Sequence, residues 1–252
     1  MAITHVEFTL FSALRQTGQL PPRPQILELG KNNWYGDVPA SQLGQAIYEL
    51  VEDKEQRKSL LLELDRLAAD DDEPSLYALS ELFLRVFTDY SSLASNDPGL
   101  PHSTYKFDLN QPIPLRRQFD LVINSGTAEH VFNIGQFFKT AHDLTAPGGL
   151  MLHGSPFTGW LDNGFYNLQP TLFWDLAHAN DYEMLVMVYA EFGIARVIQL
   201  RTRQDVQQLR SEGRLAENSL LYAVLRKRNA SEFCMPIQGC YANQLSFEAI
   251  PA

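Results

Sequence analysis

The chain has 252 residues, 45% of them hydrophobic and 20% charged, and its 20 Lys and Arg against 30 Asp and Glu give a formal charge of −10. That length suits one large α/β domain with a sizeable core, and so acidic a chain is a poor general binder of nucleic acid or anionic membrane. No apolar run approaches the ~18–20 residues that span a bilayer, and the first residues lack the basic start and apolar segment of a secretory signal.

Residues 1–24 hold an amphipathic helical segment (Phe8, Leu10, Phe11, Leu14) closed by Pro21, Pro22 and Pro24. Residues 25–30 are a compact apolar run stopped by Gly30, which predicts a buried strand and a tight turn. Over 41–67 the leucines recur at helical spacing with charges between them, the pattern of an amphipathic helix pair. This helical insertion, 41–69, is expected to cover the sheet rather than to fold as a domain. The acidic run 70–74 predicts a solvated loop, with Ser75 capping a helix through Val86, then a strand over 90–94 and a turn at Asn96-Asp97-Pro98-Gly99.

The signals then alternate. Strands are predicted over 105–109 and 119–124, a helix over 131–144, and a strand over 150–153 after Pro147-Gly148-Gly149. A helix over 170–179, strands over 184–189 and 220–225, and a polar helix over 204–212 follow. The aperiodic tail 229–252 carries the only cysteines, Cys234 and Cys240; two thiols make no disulfide framework, so a reducing cytoplasm is expected. No linker splits the chain, which predicts a single domain over 1–252. Such alternation means a mainly parallel sheet with helices on both faces. Its ligand lies beyond the carboxyl ends of the strands, here Gly30, Asp97, Asp108, Asn124-Ser125-Gly126 and His153.

Five of these pieces stand in a familiar order: Ile26-Leu27-Glu28-Leu29-Gly30; Asp97; Asp108-Leu109-Asn110; Phe119 to Asn124 with Gly126-Thr127-Ala128-Glu129-His130-Val131; and Pro147-Gly148-Gly149-Leu150. Together they resemble the serial motifs of class I S-adenosylmethionine-dependent methyltransferases, from about Ile26 to Leu225. The resemblance implies a Rossmann-like, mainly parallel seven-stranded sheet and S-adenosylmethionine as cofactor. It places Glu28 and Gly30 at the methionine end, Asp97 on the ribose hydroxyls, Asp108 and Leu109 at the adenine, and Asn124, Ser125 and Gly126 on the cofactor floor. Where the family is glycine-rich, this chain reads Lys31-Asn32-Asn33-Trp34-Tyr35-Gly36. Asn32 and Asn33 are therefore expected to supply the left-handed turn, since Asn tolerates that backbone better than most residues.

The catalytic candidates are Glu129, His130 and His153, of which His130 is the preferred base because an imidazole takes a proton near neutral pH. The aromatic stretch 157–167 resembles the acceptor side of bacterial small-molecule and sugar methyltransferases, which makes Phe157, Trp160, Asn163, Phe165 and Tyr166 candidate substrate contacts; such rings exclude water and attract a sulfonium. The segment 233–241 is expected to fold back over the same pocket. No metal is called for, and the resemblance is compatible with a homodimer. The leading expectation is methyl transfer to an oxygen or nitrogen of a small molecule, a sugar or secondary metabolite. Two alternatives stay open: a cyclase or lyase acting on the cofactor's own amino-acid arm, and a catalytically inactive binding protein of the same fold.

Overall fold

The structure, a computed structural model, describes residues 2–70, 72–194 and 196–241. A short strand β1 (Ala2–Ile3) leads into helix α1 (His5–Gln16), then β2 (Gln25–Leu29) and the two-residue β3 (Asn33–Trp34), which pairs in parallel with β1. Helices α2 (Ala40–Leu50), α3 (Lys54–Leu67) and α4 (Glu73–Thr88) precede β4 (Ser92–Asn96). After β5 (Phe119–Ser125) come a 3-10 turn (Ala128–His130), α5 (Ile134–Leu144) and the long β6 (Thr145–Thr158). Helix α6 (Pro170–Ala179), β7 (Tyr182–Glu191), β8 (Val197–Gln199), α7 (Arg203–Ser211) and β9 (Ser219–Lys227) follow. No helix among the described residues is long and apolar enough to cross a membrane.

The main sheet has seven strands in the order β4-β2-β5-β6-β9-β7-β8. The first four run parallel, and β9 lies antiparallel between β6 and β7. Both faces are covered, which is why β2 and β5 read as near-continuous apolar runs. Alternate residues of these strands point to opposite faces. Ile26, Leu121, Ile123, Leu150 and Leu152 pack with α1 to α4, while Leu27, Leu29, Val122 and Met151 pack with α5, α6 and α7. The sequence-predicted helix pair belongs to the first of these cores through Leu43, Ile47, Leu60 and Leu64.

Three departures from the sequence reading have physical causes. Asp72, not Ser75, caps α4: its carboxylate accepts the Ser75 amide at 2.9 Å, and Glu73 and Pro74 form the first turn; Asp71 of the same acidic run lies outside the described residues. No strand forms over 105–109. Only Tyr105 bridges to Asn96, because the Asn96 side chain accepts from Phe107 N at 2.8 Å and donates to Phe107 O at 3.2 Å, replacing the ladder a strand would provide. And β6 runs five residues beyond His153, held by its antiparallel partner β9, so His153 sits in mid-strand.

Candidate functional site

The strand order reverses at β2, with β4 on one side and β5 on the other, and the carboxyl edge there gathers several sequence candidates. Gly30 (φ +93°) ends β2, and its amide donates to Asn96 O at 2.8 Å. The next amide, Lys31 N, donates to Asp97 Oδ2 at 3.2 Å, while Asp97 Oδ1 accepts Gly99 N at 3.0 Å. Asp97 thus stands beside Gly30, half-buried, with a lone pair to spare on each oxygen. On the other side Asn124 is fully buried, and its Oδ1 accepts the amides of Thr127 and Ala128, both at 3.1 Å, fixing the start of the 3-10 turn. Gly126 (φ +83°) donates its amide to Gly154 O at 2.9 Å, tying β5 to β6.

Next to this edge lies a cavity of about 250 Å³ over the ends of β5, β6 and β9. Ser125, Gly126, Glu129 and His130 line it together with Trp160 and Asn163. The turn holding Glu129 and His130 is braced from outside. Phe165 N donates to Glu129 O at 2.8 Å, and a Cβ on Gly164 would stand 3.0 Å from His130 Nδ1, so only glycine lets this segment pass so close. Burial pushes the Glu129 carboxyl up to about 7, and Oε2 has no hydrogen-bond partner. His130 is exposed at the rim, and partial desolvation of its ring lowers its pKa. A neutral imidazole and a carboxyl that titrates near neutrality therefore line the same cavity.

A further carboxylate in this neighbourhood was not singled out from the sequence. Glu7 of α1 is buried at the cavity floor and accepts Thr4 N at 2.9 Å and Tyr222 OH at 2.8 Å, together with the hydroxyls of Thr4 and Ser125. The signal was present: Thr4-x-x-Glu7 before an apolar run is a capping box, and the box holds Glu7 in place. Ser155, Tyr35 and Phe192 also line the cavity without any local sequence cue.

Other candidates lie elsewhere. His153 is 1% exposed, packed against Phe138 and Phe173 on the α5–α6 side, with Asn124 Nδ2 at 3.3 Å from its Nδ1, and burial pushes its pKa down to about 3. Asn32 does not take the left-handed turn. It is fully buried and donates its side-chain amide to Glu28 Oε1 at 2.7 Å, because a buried carboxyl requires donors; Asn33 is drawn into β3. Desolvation still pushes Glu28 up to about 7. Asp108 ends no strand and is exposed, its carboxylate turned onto Asn110 N at 2.9 Å, while Leu109 is in the α5-side core. Phe157 is buried against Tyr189, Phe165 is exposed against Phe132, and Tyr166 donates its hydroxyl to Phe132 O at 2.7 Å. Residues 233–241 do not cover the cavity: Phe233 packs on His142 and Cys234 N donates to Asn180 at 2.7 Å, on the far face.

No family model matches the chain, and no curated protein matches it either. Among solved structures, it is similar to a putative methyltransferase from Bacillus halodurans, at 10% identity and TM-score 0.45 over 87% of this chain and 99% of that one. It is also similar to the N-methyltransferase NodS from Bradyrhizobium japonicum in complex with S-adenosyl-L-homocysteine, at 14% identity and TM-score 0.41 over 88% and 85% of the two chains. A third is the O-methyltransferase of a Brevibacillus brevis polyketide multienzyme, at 13% identity and TM-score 0.37, covering 81% of this chain and 67% of that one.

Proposed function

We propose that the chain is a methyltransferase that moves a methyl group from S-adenosylmethionine to an oxygen or nitrogen of a small molecule. The observation that carries this reading is the convergence of Gly30, Asp97 and Ser125-Gly126 on one carboxyl edge, beside a cavity walled by Glu129 and His130. The donor set suits the cofactor: Asp97 retains acceptor capacity for a ribose diol, and Gly30 and Gly126 remove side chains where backbone must come close. When bound, S-adenosylmethionine supplies an electrophilic methyl carbon. The protein's share is to orient the acceptor in the cavity, to exclude water with Trp160 and its neighbours, and to take the acceptor's proton at the His130 imidazole or the Glu129 carboxylate. With a charge of −10, a small molecule is a better acceptor than a nucleic acid.

Calorimetric titration with S-adenosylhomocysteine tests this directly. Saturable binding that Asp97→Ala weakens is expected, and absence of binding at millimolar ligand would sink the proposal. The Glu28–Asn32 bond, which closes the loop after Gly30, favours one second reading: a protein of the same fold that binds no cofactor. The same titration separates the two. Release of methylthioadenosine instead of S-adenosylhomocysteine would point to chemistry on the cofactor's own arm.

A further inference from the structure

We infer that the cavity over β5, β6 and β9 takes a small cationic amine, with its ammonium group facing the carboxyls of Glu7 and Glu129. This deepens the proposal above and rests on its reading of the cavity as the acceptor site. The first observation is a surplus of acceptors. Glu129 Oε2 and Ser155 Oγ are buried at the wall with no hydrogen-bond partner, at residues 2% and 1% exposed. A buried acceptor left bare is costly, and an ammonium brings three N–H donors to such a wall.

The second observation is a shortage of donors. No lysine or arginine is among the described residues lining the cavity. The amides that could otherwise cradle an anion are taken: Gly126 N by Gly154 O, and Thr127 N and Ala128 N by Asn124 Oδ1. The Tyr222 and Ser125 hydroxyls both donate to Glu7, and the Trp160 indole N–H donates to Ser219 O at 2.8 Å. A carboxylate or phosphate would therefore meet two carboxyls, with the unpaired Ser155 hydroxyl as a single buried donor set against them. The third observation is the aromatic mouth, where Phe192 lies 4.9 Å from Trp160 and 5.4 Å from Tyr35. Ring faces attract cations.

The test uses three probes of one shape, benzylamine, benzyl alcohol and benzoate, titrated into the full chain near neutral pH. Benzylamine is expected to bind at least about tenfold more tightly than either of the others, about 1.4 kcal/mol. Glu129→Gln, with its melting curve checked, is expected to reduce that preference to about threefold or less. Equal or tighter binding of the alcohol or the benzoate overturns the inference, as does benzylamine that fails to saturate at millimolar concentration. An undiminished preference in folded Glu129→Gln overturns it too. A separate titration with S-adenosylhomocysteine keeps the two proposals apart. Amine preference without cofactor binding upholds the amine site and removes methyl transfer; cofactor binding without amine preference does the reverse.

Discussion

Asp97 and His130 divide the proposed work between cofactor and acceptor. Asp97→Ala removes the carboxylate proposed to accept the ribose diol, and is expected to weaken S-adenosylhomocysteine binding by about 1.5–3 kcal/mol, read by calorimetry on the folded variant. His130→Ala is expected to slow turnover by about 10²–10⁴-fold, followed as S-adenosylhomocysteine release, with cofactor affinity little changed. Full activity in that variant would pass the proton to Glu129. Glu28 is a stability residue with a pH signature. Its pKa, raised by burial to about 7, lies above the ordinary carboxylate value, so the folded state holds the proton more tightly than the unfolded one. Its favourable contribution is thus complete below about pH 4.5 and is lost as pH rises to about 7. Glu129, also at about 7, acts in the same direction. Glu28→Gln should flatten part of the loss of urea stability between about pH 5 and 8, by as much as about 3 kcal/mol at the upper end. A variant that declines as steeply as the parent protein would show that Glu28 does not titrate there.

The elements that build the cavity are two strands crossing as antiparallel partners and a helix that reaches them from the amino end. β6 and β9 pair from Leu150–Arg226 to Thr158–Ser219, and where Gly154 faces Tyr222 the ring lies flat against the glycine. A Cβ there would stand 2.4 Å from the Tyr222 ring. Gly154→Ala is therefore expected to cost about 1–3 kcal/mol in chemical denaturation and to shift Tyr222 off Glu7. An unchanged midpoint would mean that the strand pair yields more easily than its packing indicates. α1 matters for the same reason: its capping box fixes Glu7 between Thr4, Ser125 and Tyr222, so three elements meet at one carboxylate.

At the scale of the molecule, one sheet carries a core on each face, and α2 and α3 are continuous with the core that α1 and α4 build. The segment 41–69 is too short to bury a core of its own, so it is expected to stay with the rest of the chain during limited proteolysis. Unfolding followed by circular dichroism and by tryptophan fluorescence should give one coincident transition. A stable fragment from 41–69, or two separated transitions, would define a second folding unit.

What the sequence determined by itself is what local chemistry and periodicity dictate. β2 and β5 are legible as double-sided apolar runs, α6 spans the predicted 170–179, and the place of Glu129-His130 a few residues beyond a strand end follows from the chain order. The tertiary structure decided the rest, because it depends on partners far away along the chain. Whether β6 stops near His153 or runs on to Thr158 is set by β9, some seventy residues later. Asn32 could be a turn residue or a donor to a buried carboxyl, and only the closed surroundings of Glu28 select the second. Glu7 reads locally as a helix cap. It becomes a wall of the cavity because Tyr222, separated from it by 215 positions, donates to it across the sheet.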